Sequence, residues 1–127
     1  MLIPHNPPGV FPPYRCYSHA VEIAGGARLL FVSGLNGHES DGRAMPESFE
    51  AQGELVWQHL RTILNAAGMD YGDLVSLRTY LASPEYDEPN VRLRVKHLGN
   101  HRPAGTVVCC QLLDPRWKLE VEAVAAK

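Results

Sequence analysis

Two carboxylates stand two residues apart in Leu119-Glu120-Val121-Glu122-Ala123. At the period of a strand, Leu119, Val121, Ala123 and Ala125 share one face, and Glu120 and Glu122 share the other with Lys118. Two readings stay open. The pair can be a solvated edge, ion-paired to Lys118 or Arg116, or one carboxylate can line a cleft and position a water as general base or acid, its pKa raised by burial. Of six histidines, only His97 and His101 have the i, i+4 spacing of a helical metal pair. Gly99 interrupts that helix and no HExxH glutamate accompanies them, so a surface or capping role is favoured over metal. The three cysteines, Cys16, Cys109 and Cys110, have no ligand spacing and read as free, mostly buried thiols, with Cys109 and Cys110 on opposite faces of a strand. Gly34-x-x-Gly37 lacks the lysine of a phosphate loop and reads as a turn. No nucleophile elbow, CxxC pair or dinucleotide fingerprint is present, so neither metal nor cofactor is implied.

Composition narrows the classes further. A chain of 127 residues is one domain, and 45% apolar with 20% charged residues is ordinary for a globular one. Net charge is -2 with no basic cluster, which argues against a nucleic-acid surface. No apolar run approaches the roughly 18 residues of a membrane span. The first fifteen residues carry five prolines and lack the apolar core of a signal peptide, so the cytosol is the expected compartment.

The elements that must position these groups follow from periodicity. Residues 1–15 are expected to be irregular and to lie along the surface. Tyr17 to Ile23 alternates, Ala24-Gly25-Gly26-Ala27 turns, and Arg28 to Gly34 is a second strand, together an antiparallel hairpin. A polar loop leads to a helix starting near Pro46 or Ser48, with Phe49, Gln52, Val56, Leu60, Ile63 and Ala67 on its buried stripe, Trp57 and His59 off or at its edge, and Gly68 as the stop. Asp73 to Ala82 is a third strand. Asp87 is the expected N-cap of a second helix, with Val91, Val95 and Leu98 buried and Gly99 ending it. Two apolar runs around Asp114-Pro115 then form a hairpin. The order β-β-α-β-α-β-β predicts an α+β fold, one mixed sheet with two helices on one face. The other face of the sheet still has mixed positions to hide, which predicts oligomerisation and a site between subunits.

As a set, Tyr17-Ser18-His19-Ala20-Val21, Leu30-Phe31-Val32-Ser33-Gly34, the Phe49/Gln52 helix running to Ala66-Ala67-Gly68, Asp73-Leu74-Val75, Asn90, Arg102-Pro103-Ala104 and Leu119 to Ala123 resemble the Rid family, the reactive-intermediate deaminases also called the YjgF family. The resemblance spans nearly the whole chain, in order. It implies a chorismate-mutase-like homotrimer with small clefts between subunits, in which enamines and imines are hydrolysed to keto acids and ammonia without metal or cofactor. It also implies that Tyr17 stands at the cleft mouth, that Ser33 is the strand serine and Asn90 the helix asparagine, and that Glu120 holds the hydrolytic water. The family arginine that grips the substrate carboxylate is replaced by Gly105, and a family cysteine by Val107. Gly105, Thr106, Val107, Asn90 and Arg102 are then the expected substrate-binding positions, with Arg102 or Arg78 the candidates to supply the missing cation. The function so implied is hydrolysis of small reactive imines or enamines with an altered substrate preference. The alternative is a small-molecule-binding or regulatory trimer without catalysis. RNA cleavage, attached by name to some relatives, is disfavoured by the charge.

Overall fold

The protein is described from a computed structural model, which covers residues 1–9, 11–13 and 15–127. Its elements are β1 (Leu2–His5), β2 (Ala20–Ile23), β3 (Leu29–Leu35), α1 (Phe49–Ala66), β4 (Leu74–Leu81), α2 (Asp87–Leu98), β5 (Ala104–Cys109) and β6 (Leu119–Ala126). Four strands form a mixed sheet in the order β3-β6-β4-β5, in which β6 is antiparallel to both β3 and β4, and β5 is parallel to β4. A parallel neighbour requires a crossover, and α2 supplies it. Both helices cover one face of this sheet. Val121, Ala123, Leu77 and Leu119 of the sheet pack there with Val56, Trp57, Leu60 and Leu64 of α1.

Three expectations change. The segment around Asp114-Pro115 does not close a hairpin, because β4 lies between β5 and β6. The glycines at 25 and 26 do turn the chain, but β2 pairs with β1 rather than with β3. Part of the proline-rich start is therefore a strand: Leu2 faces Ile23 and His5 faces Ala20 in a separate two-stranded sheet. Pro4 is tolerated because β1 lies at an edge. A single parallel bridge, Ser18 to Ala104, links this N-terminal part to β5.

Ser48 caps α1 by accepting the Ala51 N–H, and Gly68 follows the helix at φ +71°, a left-handed conformation that favours glycine. The buried arc of α1 is wider than one stripe. Trp57 is only 1% exposed, stacked on His97 of α2 with ring centroids 5.1 Å apart. In α2 the buried residues are Asn90, Leu93, Arg94 and Leu98, whereas Val95 is 46% exposed and Val91 partly so. Tyr86 holds the N-cap position and Asp87 is the first helical residue. Of the cysteines only Cys16 is buried; Cys109 is exposed and Cys110 intermediate, because β5 is an edge strand. Among the described residues no helix is long and apolar enough to cross a membrane.

Candidate functional site

A cleft of about 600 Å³ lies where the edge strand β5, helix α2 and the segment before β2 meet. Ser18 builds it: its hydroxyl donates to the Arg102 carbonyl at 2.5 Å, and its N–H donates to the Pro103 carbonyl at 3.1 Å. These bonds tie a segment from the first fifth of the chain to the start of β5, so that Tyr17 and Gly105 line the same space. Thr106 and Val107 also line it, with Arg15, Asp87 and Arg94 among the charged residues. Arg15 crosses to the first turn of α2, donating to Asp87 at 2.6 Å and to Glu88 at 3.3 Å.

The structure does not bring every expected site residue to this cleft. Glu120 and Ser33 lie on the open face of the sheet, away from the helices. Ser33 lines a shallow depression there with Phe31, Arg78 and Glu122. The two glutamates, equivalent by periodicity, differ in their partners. Glu122 accepts from the Tyr80 hydroxyl at 3.1 Å and from Arg78 at 3.2 Å. That hydrogen bond, followed by burial, raises the Tyr80 hydroxyl above its ordinary pKa. Glu120 makes no hydrogen bond or ion pair among the described residues, and its carboxylate lies over Gly34, where any Cβ would collide with it. Of the two it is Glu120 that is unengaged.

Arg102 and Arg78, the candidates for the missing cation, are occupied elsewhere. Arg102 donates to the carbonyls of Gly99 at 2.6 Å and His101 at 3.0 Å, and Arg78 belongs to the open-face pair with Glu122. The cation that does stand beside Gly105 is Arg94. A Cβ built on residue 105 would lie 3.0 Å from Arg94 Nη2 and 3.3 Å from the Leu77 carbonyl. Arg94 is 5% exposed, donates from Nη2 to the Cys16 carbonyl at 3.2 Å, and has no carboxylate partner among the described residues. Burial lowers its pKa; Cys16 opposes the shift, and the like charges of Arg102 and Arg15 add to it. Asn90, one turn earlier on the same helix, is 2% exposed. The apolar stripe of Val91, Val95 and Leu98 does not include Arg94, although Arg94 borders it. The signal that could have found it is its i, i+4 relation to Asn90.

His97 and His101 serve the fold. His97 bonds Glu54 at 3.0 Å, and His101 donates to the Leu74 carbonyl at 2.7 Å. No group of three metal-ligating side chains occurs among the described residues.

A mixed four-stranded sheet with two helices on one face places the chain in the α+β class. The family model described as endoribonuclease L-PSP matches residues 10–127, and the chain belongs to that family. Its relatives here carry the names Rid, RutC and YjgF. It is 26% identical to Protein HMF1 of Saccharomyces cerevisiae over 111 residues, covering 87% of this chain and 84% of that protein. A shorter match, 37% over 57 residues, joins it to the RutC family protein YjgH of Escherichia coli, over 45% of this chain and 43% of that one. Among solved structures it resembles the Rid-family protein YyfB from Yersinia pestis, with a TM-score of 0.88, 28% identity and coverage of 99% and 98% of the two chains. RidA from an Antarctic Psychrobacter shares the fold, with a TM-score of 0.75, 24% identity and coverage of 90% of each chain.

Proposed function

We propose that the protein is a cofactor-independent hydrolase of small reactive imines or enamines, working as a homotrimer whose clefts lie between subunits. The observation that carries this reading is the convergence of Tyr17, Gly105, Thr106 and Val107, from distant parts of the chain, on one cleft in a chain of this family. In the reaction, Glu120 takes a proton from water as the water oxygen adds to the C=N carbon, and passes it to the nitrogen to give a carbinolamine. The carbinolamine hydroxyl then gives up its proton to the nitrogen as the C–N bond breaks, releasing ammonia and leaving C=O. Glu120 and Ser33 reach the cleft from a neighbouring copy, because on one protomer they lie on the open face of the sheet. A backbone N–H of β5 or the Ser33 hydroxyl steadies the developing charge. The free thiols fit a reducing compartment, in keeping with a cytosolic enzyme.

A second reading has one observation in its favour. The carboxylate lining the cleft from the same protomer, Asp87, is held by Arg15 and is not free to act as a base. A trimer that binds small molecules without turning them over would need nothing more. The test is ammonia release from imines generated in place, with and without α-carboxylates, by wild type and Glu120→Gln. Turnover that falls about 100-fold or more in the variant supports the hydrolase. No acceleration over background, with small molecules still bound, gives the binding reading.

A further inference from the structure

Arg94 is expensive to keep where it is. A guanidinium carries five N–H donors and is nearly always charged, and a buried charge is normally paired. Among the described residues its Nε is buried without a hydrogen-bond partner, and so is Nδ2 of Asn90 one turn away on the same helix. Two orphaned donors on one face of α2, one of them on an arginine that lines the cleft, call for an acceptor that the described residues do not provide. The glycine at 105 has a matching role, since any side chain there would meet Arg94 Nη2 or the Leu77 carbonyl.

We infer that Arg94 is the anion-gripping residue of the cleft, reaching from α2 into room that Gly105 leaves open on β5, and that its ligand is a small monocarboxylate. This rests on the proposed function for the identity of the site and adds the group that selects the ligand. Nε–H and the neighbouring Nη–H form the planar fork that fits a carboxylate. Asp87 and Glu88, two carboxylates sharing the single charge of Arg15, leave the first turn of α2 net negative, which disfavours a doubly charged phosphate more than a monocarboxylate. Val91, Val107 and Val108 give the cleft apolar walls, which suit a short aliphatic body behind the carboxylate. The glycine is then the mark of a relocated cation rather than a missing one.

The test measures binding without turnover, by calorimetric titration of the full chain with pyruvate and, as the neutral comparison, pyruvamide. Wild type is expected to prefer pyruvate, and Arg94→Met to lose at least about tenfold in pyruvate affinity while remaining folded, since removing a buried charge that has no carboxylate partner offsets the one hydrogen bond lost to the Cys16 carbonyl. The double variant Arg94→Ala with Gly105→Arg moves the cation back to β5 and is expected to recover pyruvate binding. Equal affinity for the two probes overturns the inference. So does unchanged pyruvate binding by Arg94→Met, or failure of that variant to fold, which would make Arg94 structural. Imine turnover is read separately. Pyruvate bound through Arg94 with no hydrolysis removes only the hydrolase reading, and hydrolysis indifferent to Arg94→Met removes only this one.

Discussion

Glu120 on β6 rests its carboxylate in the space that Gly34 on β3 leaves by having no Cβ. The backbone at Gly34 is not left-handed, so alanine meets a problem of room and not of conformation. Gly34→Ala is expected to fold with a stability change below about 1 kcal/mol, because Gly34 is exposed and the flexible Glu120 side chain can swing away, and to push Glu120 aside. If Glu120 orients the water, Gly34→Ala and Glu120→Gln reduce kcat by similar factors, and the double variant is no worse than either alone. Steady-state ammonia release by the four proteins checks this; additive losses would separate Gly34 from Glu120.

Gln52 of α1 holds the approach to β6. Its Nε2 donates to the carbonyls of Pro46 at 2.8 Å and Arg116 at 3.0 Å, and its Oε1 accepts the Lys118 N–H at 2.9 Å. The residue is 1% exposed, so Gln52→Leu strands backbone groups that water cannot easily reach. A loss of about 3 kcal/mol is expected, read as a lower urea midpoint at unchanged m. A variant within about 0.5 kcal/mol of wild type would show that the three bonds carry little.

Glu54 links the helices by accepting from Lys96 at 2.6 Å and bonding His97 at 3.0 Å. Burial alone would raise its carboxyl, but Lys96 and His97 outweigh burial and hold it below the ordinary 4.5. A carboxyl with a depressed folded-state pKa contributes stability above its unfolded value and loses it as pH falls through the folded one. The melting-temperature gap between wild type and Glu54→Gln is therefore expected at neutral pH and to close as pH drops below about 4.5. A gap that widens on acidification would have the wrong sign.

Phe31 is 74% and Leu29 51% exposed on the open face of the sheet, where Phe31 is paired with Val124 of β6. Apolar side chains gathered on one face mark a contact surface. Light scattering after size exclusion is expected to give a trimer for wild type and smaller species for Phe31→Asp. A wild-type monomer at micromolar concentration would remove the inter-subunit site.

The sequence made some of this legible and hid the rest for physical reasons. Local signals worked where a local rule decides. Ser48 as a cap, Gly68 and Gly99 as stops, and the alternation of Leu119 to Ala125 with Glu120 and Glu122 are all as periodicity and capping dictate. Strand partners are settled by distant contacts, so the intervention of β4 between β5 and β6 could not be seen from the apolar runs around Asp114-Pro115. A single apolar stripe puts Trp57 at the edge of its helix, whereas α1 is covered by the sheet on one side and by α2 on another. In α2 the apolar pattern gives Val91, Val95 and Leu98; Leu98 is buried, but Asn90, Leu93 and Arg94 make up the rest of the buried face. Polar residues on a buried face break the rule that finds cores, and functional sites are where such breaks are expected.

The position of β6 has a consequence for the order of events in folding. Of the two interior strands of the sheet, β6 is the last in sequence, and β3 and β4 are joined in the sheet only through it. While the chain is being synthesised, both must wait with their pairing edges open until residues 119–126 have emerged. Contacts so distant in sequence form slowly, and waiting edges invite wrong partners. Removing β6 would leave β3 and the β4–β5 pair with no strand between them, so the sheet closes late and nearly all at once.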